Sequence, residues 1–215
     1  MTDLATLLRS HRLVPVVGLT SPAEAAPLAR ALIDGGLPIV EVTLRHEGAL
    51  ETLRAIARTE GLLVGAGTVR TPDQMYDAVE AGASFVVSPC LTPGLAEAAR
   101  SLGVAFVPGA ATATEIQLAV DEGFGLVKFF PAEASGGVAA LRALAEPFRD
   151  VMFLPTGGIT SLSAPDYLAL PQVVAVGGSW MVPAALRVTA DWQGIATAIR
   201  TARSWVASEH ARASP

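Results

Sequence analysis

Lys128 is the single lysine among the 15 Lys and Arg residues of this 215-residue chain. It lies in Leu126-Val127-Lys128-Phe129-Phe130-Pro131, a short apolar run with the length and composition of a buried strand. Apolar surroundings disfavour an ammonium relative to the free amine. A free amine attacks a carbonyl carbon and forms a Schiff base. A lysine so placed serves equally as an ion-paired core cation or as a simple anion contact. Its possible chemical partners lie elsewhere in the chain.

Glu41 and Arg45 occur four residues apart in Ile39-Val40-Glu41-Val42-Thr43-Leu44-Arg45. Strand alternation puts Glu41, Thr43 and Arg45 on one face, and Val40, Val42 and Leu44 on the other. A carboxylate and a guanidinium therefore enter one cavity, either as an ion pair or as a proton-transfer group beside an anion clamp. Thr68 follows Gly65-Ala66-Gly67, whose small residues leave room for a ligand. Phe130 shares the face of Lys128. Thr156-Gly157-Gly158 and Gly177-Gly178-Ser179 each close an apolar run. Glycine lets backbone N–H groups approach phosphate oxygens closely, commonly beside a helix N-terminus. The two turns together suggest a substrate with a phosphate at one end.

Eight apolar runs must position these groups: Val14–Leu19, Ile39–Leu44, Leu62–Thr68, Phe85–Pro89, Ala105–Ala110, Leu126–Pro131, Val151–Thr156 and Val173–Gly177. Their recurrence fits one strand plus one helix per unit. Ser21-Pro22-Ala23-Glu24, Thr71-Pro72-Asp73-Gln74 and Thr112-Ala113-Thr114-Glu115 are helix starts with a capping hydroxyl and an acceptor three residues on. Pro27 falls inside the first long helix and predicts a kink. A short amphipathic helix precedes the first strand, with Leu4, Leu7 and Leu8 on one side. The pattern predicts one domain over residues 1–215, an α/β fold of the closed (β/α)₈ TIM-barrel type with a short N-terminal helix. A doubly wound sheet is the competing architecture. The first strand ends in Gly18-Leu19-Thr20-Ser21, without the glycine fingerprint of a dinucleotide fold.

Composition narrows the classes further. Hydrophobic residues make up 51%, charged residues 16%, and the net charge is −5. These values argue against disorder and against a nucleic-acid footprint. No apolar stretch reaches membrane-spanning length. The single cysteine, Cys90, fits a reducing, cytoplasmic setting.

Five blocks carry a resemblance: Glu41-Val42-Thr43-Leu44-Arg45, Gly65-Ala66-Gly67-Thr68-Val69, Lys128-Phe129-Phe130-Pro131-Ala132-Glu133, Pro155-Thr156-Gly157-Gly158-Ile159 and Gly177-Gly178-Ser179-Trp180. From about Val14 to Trp205 the chain resembles the bacterial 2-keto-3-deoxy-6-phosphogluconate aldolases, which often also act as 4-hydroxy-2-oxoglutarate aldolases. The resemblance implies a class I aldolase of the Entner–Doudoroff pathway, a homotrimeric barrel with no metal and no cofactor. It implies that Lys128 forms the Schiff base and that Glu41 is the general acid–base. It also implies that Arg45 and Thr68 hold the substrate carboxylate and that Phe130 and Thr156 line the cavity. Gly157, Gly158 and Ser179, with Gly177 and Gly178 in the same turn, would hold the phosphate. Two positions depart from the family pattern. His46 stands where threonine is expected, and reads as a loop or interface residue. Cys90 stands where glycine is expected, and reads either as a small buried hydrophobe or as a residue that narrows the mouth or alters substrate preference.

Three other functions fit parts of this pattern. An aldolase for the galactonate stereoisomer would keep all the chemistry. A phosphate-binding barrel isomerase would use Glu41 as a base and Lys128 as an anion contact. A non-catalytic sugar-phosphate sensor would keep the glycine turns alone.

Overall fold

The computed structural model describes residues 3–19 and 21–213. Parallel strands alternate with helices along nearly the whole chain. The first helix, α1 (Leu4–His11), buries Ala5 and Leu8 and leaves Leu4 and Leu7 half-buried. Met1 and Thr2 lie outside the described residues, as does Thr20.

Six strands form one parallel sheet, curled as half a barrel: β1 (Leu13–Val17), β2 (Ile39–Thr43), β3 (Leu63–Gly67), β4 (Phe85–Val87), β5 (Ala105–Val107) and β9 (Val176–Gly178), in the order β5-β4-β3-β2-β1-β9. A second, three-stranded parallel sheet contains β6 (Gly109–Ala110), β7 (Leu126–Phe129) and β8 (Met152–Phe153) in chain order. The run expected as one strand over Ala105–Ala110 is thus two. Pro108 separates them, and proline has no N–H to donate to a ladder. The two pieces face different neighbours: β5 pairs with β4, and β6 pairs with β7. Isolated parallel bridges join Phe153 to Val173 and Thr156 to Gly177.

The capping signals position the helices. Ser21 accepts a hydrogen bond from Ala23 N, Thr71 from Gln74 N and Thr112 from Glu115 N. The Glu115 carboxylate returns the favour by accepting from Ala111 N and from the Thr112 hydroxyl. The predicted kink at Pro27 has a simple resolution. A 3₁₀ turn (Pro22–Glu24) leads into α2 (Ala25–Asp34), so Pro27 falls in the first turn of the α-helix. N–H groups there lack intrahelical partners in any case, and proline costs nothing by lacking one.

Strand register fixes which side chains meet. Glu41 pairs with Val16 on one side and Gly65 on the other, and Thr43 pairs with Gly67. Val40 and Val42 face the helices and are fully buried, in a cluster with Leu28, Leu32, Leu53 and Ile56. Each such side chain stabilises the packed layer by roughly 1.5–3 kcal/mol. The opposite face of β2 carries Glu41 and Thr43, also buried. A carboxylate is rarely fully buried without a partner. Among the described residues no helix is long and apolar enough to cross a membrane.

Candidate active site

The partner of Glu41 is Lys128. The ammonium donates to Glu41 Oε1 at 3.2 Å, and the two side chains are 0% and 3% exposed. Among the described residues, Glu41 Oε2 is buried with no hydrogen-bond partner. One carboxylate oxygen thus holds the amine while the other keeps free lone pairs. Lys128 is anchored in β7, where its N–H donates to Pro108 O at 2.8 Å. Its Nζ lies 5.0 Å from the centre of the Phe130 ring, close enough for a cation–π contact.

Gly67 makes this pair possible. A β-carbon there would collide with the Glu41 carboxylate, and one on Gly65 would collide with the Phe85 ring. The small residues of β3 were expected to leave room for a ligand. They instead make room for neighbouring side chains, one of them the buried acid.

Arg45 and Thr68 meet at the ends of β2 and β3. Arg45 Nε donates to Thr68 Oγ1 at 3.2 Å. Arg45 is exposed and Thr68 half-buried, so the remaining guanidinium donors face solvent at the rim. Thr68 has φ +60°, a left-handed conformation that is a genuine outlier for a β-branched residue. Such strain costs on the order of 1–3 kcal/mol and is characteristic of functional sites. Here it accompanies the hydroxyl contact with the guanidinium.

The two glycine turns are also neighbours. Gly177 N donates to Pro155 O at 2.9 Å, and a β-carbon on Gly177 would strike the Thr156 hydroxyl. Thr156 is buried, and its hydroxyl donates weakly to Leu154 O at 3.5 Å. The turn after β7 clasps the other side, with Ala132 N on Thr156 O and Glu133 N on Gly157 O. Gly157 and Gly158 have φ of +106° and +79°, which side-chain-bearing residues rarely adopt. Gly158 packs on Glu133, and the Glu133 carboxylate lies near the buried Tyr167 hydroxyl. Burial, and then that carboxylate, raise the phenol above its ordinary value. Ser179 is exposed at the end of β9. The helices that follow these turns, Ala164–Leu168 and Ala184–Val188, are five residues each and begin well past the glycines. The turns' own N–H groups other than that of Gly177, and not a helix N-terminus, are the candidate donors.

Cys90 is exposed, contrary to its expected burial. Its backbone N–H donates to the fully buried Ser88 hydroxyl at 3.2 Å, which fixes the bend after β4, and its Sγ lies 3.9 Å from the same hydroxyl. His46 is exposed as well, with its ring against Gly18. Among the described residues no group of three or more His, Cys, Asp or Glu side chains is placed to hold a metal ion.

A buried lysine–glutamate pair between two parallel sheets, with a guanidinium and two glycine turns at the strand ends, suits carbon–carbon bond chemistry on a keto acid. Comparison with known proteins agrees with that class. Residues 4–198 match the family described as KDPG and KHG aldolase, and the chain belongs to that family. The KHG/KDPG aldolase of Escherichia coli strain K12 is 45% identical over 202 residues, which cover 94% of this chain and 95% of the relative. The 2-keto-3-deoxy-6-phosphogluconate aldolase of Zymomonas mobilis ZM4, solved with 3-phosphoglycerate, superposes with a TM-score of 0.89 at 43% identity, covering 94% of this chain and 95% of that one. The KDPG aldolase of Legionella pneumophila, solved with pyruvate captured as a covalent carbinolamine intermediate, superposes at 0.90 with 38% identity, covering 94% and 98%. The chain is therefore an enzyme, an aldolase of the carbon–carbon lyase class. That assignment sets aside the isomerase and sensor readings.

Proposed function

We propose that this chain cleaves 2-keto-3-deoxy-6-phosphogluconate to pyruvate and glyceraldehyde 3-phosphate through a Schiff base on Lys128, as a class I aldolase. The observation that carries the reading is the buried contact between Lys128 Nζ and Glu41 Oε1. Proton transfer to the carboxylate frees the amine, which attacks the C2 ketone. Glu41 returns the proton as the carbinolamine loses water and becomes an iminium ion. The C4 hydroxyl then gives its proton to Glu41, directly or through water. The C3–C4 bond breaks, its electron pair moves into the iminium to form an enamine, and the aldehyde leaves. Protonation at C3 and hydrolysis release pyruvate and restore the lysine.

The other groups divide the substrate between them. Arg45 binds the planar carboxylate with a forked pair of hydrogen bonds, and Thr68 orients it. Phe130 and Thr156 shape the cavity around C2 and C3. The N–H groups of Gly157, Gly158 and Gly178, with the Ser179 hydroxyl, hold the phosphate, and Gly177, whose own N–H is bonded to Pro155 O, leaves the space that the Thr156 side chain fills. 4-Hydroxy-2-oxoglutarate shares the pyruvyl half and is cleaved by the same steps to pyruvate and glyoxylate.

A closed (β/α)₈ barrel suits this arrangement. The near-continuous β5 and β6, and the bridges from Phe153 in β8 to Val173 and from Thr156 to Gly177 in β9, support closure. We extend the proposal to one catalytic domain over residues 1–215, assembled as a cytoplasmic homotrimer. The test is product analysis. Purified enzyme given the gluconate substrate releases equimolar pyruvate and glyceraldehyde 3-phosphate. Substrate consumption without pyruvate would overturn the proposal.

A further inference from the structure

Arg45 and His46 are consecutive, and they turn to opposite neighbours. Arg45 reaches Thr68 at the end of β3. The His46 imidazole instead lies over Gly18 at the end of β1. A β-carbon on Gly18 would stand 3.4 Å from both His46 Cδ2 and Nε2, and 3.5 Å from Thr43 Oγ1. Thr43 in turn donates to Val17 O at 3.2 Å, which stiffens that corner from beneath. An exposed imidazole therefore rests over Gly18, beside the corner that the Thr43 hydroxyl holds. Beyond β1 lies β9, paired so that Pro15 stands opposite Gly178, one residue before Ser179. The ring consequently borders the strand ends between the Arg45–Thr68 clamp and the Gly177–Ser179 turn.

From this placement we propose that His46 is a specificity-determining residue that hydrogen-bonds the aldehyde half of the substrate, through a hydroxyl or phosphate oxygen. The inference rests on the aldolase reading above. Imidazole nitrogen supplies a directional donor or acceptor. Its contact is with atoms that only the longer, phosphorylated keto acid carries, so it discriminates between substrates that share the pyruvyl half. His46 is exposed, and its replacement does not open the core.

Steady-state kinetics of His46→Ala and His46→Asn on both substrates, with borohydride trapping of pyruvate in parallel, test the proposal. For His46→Ala, KM for 2-keto-3-deoxy-6-phosphogluconate rises roughly tenfold, the size of one lost hydrogen bond to a charged or polar substrate group, with kcat held within about twofold. KM for 4-hydroxy-2-oxoglutarate changes by less than about twofold, and pyruvate is trapped as in the wild type. His46→Asn recovers part of the loss. An unchanged KM for the phosphorylated substrate, or equal losses on both substrates, would overturn the role of His46. Absence of a trapped adduct in the wild type would instead overturn the aldolase reading.

Discussion

Lys128 Nζ and Glu41 Oε1 are 3.2 Å apart and almost fully buried, although 87 residues separate them in the chain. Removing two charges from water carries a penalty that their mutual attraction offsets only in good geometry. The pair is therefore a poor explanation of stability and a good one of chemistry. A buried acid touching a buried amine can pass it a proton without help from solvent.

Replacing the acid separates these roles. Glu41→Gln keeps the shape of the side chain and removes its basicity. Turnover falls by roughly 10²–10⁴-fold, the usual contribution of a positioned acid–base group, while pyruvate still binds. The variant also leaves a buried ammonium without its counter-charge, a loss of about 3–5 kcal/mol. Turnover and a denaturant melt, measured on one preparation, check both outcomes. Wild-type turnover would remove Glu41 from the mechanism.

Thr68 offers a test of stored strain. Its φ of +60° suits glycine, and its hydroxyl accepts from Arg45. Thr68→Ala and Thr68→Gly both lose the hydroxyl and both bind pyruvate more weakly. Only the glycine relieves the backbone, so Thr68→Gly is more stable than Thr68→Ala by about 1 kcal/mol. Equal melting temperatures would show that the conformation costs nothing.

His11 links stability to pH away from the active site. Burial first, and the nearby Arg203 second, hold its imidazole below the ordinary value of 6.5. The folded state therefore binds fewer protons than the unfolded chain between that lowered value and 6.5. Stability rises with pH across this interval and falls on acidification. Above 6.5 both states are neutral there, and the effect vanishes. His11→Gln removes this part of the acid sensitivity. Between pH 8 and pH 5 the melting temperature of the wild type falls by more than that of His11→Gln if this is correct, and the two fall by the same amount if it is not.

Much of the site was legible in local pattern. Alternation along β2 sends Glu41 and Thr43 inward, and the solitary lysine in an apolar strand names its own candidate role; Arg45, expected inward with them, is exposed at the rim because the strand ends at Thr43. Capping hydroxyls at Ser21, Thr71 and Thr112 were readable because a cap is a contact across two or three residues. The errors have a common cause. Pro27 is harmless because of where the helix begins, and Ala105–Ala110 divides because its pieces serve different neighbours. Gly67 is small because of a glutamate on the next strand. Cys90 is exposed because Ser88 fixes the bend it sits on. Each depends on a partner or a boundary that residue type alone does not specify. The left-handed Thr68 lies beyond pattern reading for the same reason.

The central claim is that Lys128 forms the covalent intermediate. Borohydride reduction in the presence of pyruvate, followed by peptide mass analysis, tests it most directly. Because Lys128 is the single lysine, only the N-terminal amine competes for the label. The account predicts one stable adduct on the peptide containing Lys128, and neither adduct nor cleavage activity in Lys128→Ala. Full activity in that variant, or an unmodified Lys128 peptide in the wild type after reduction, would contradict it.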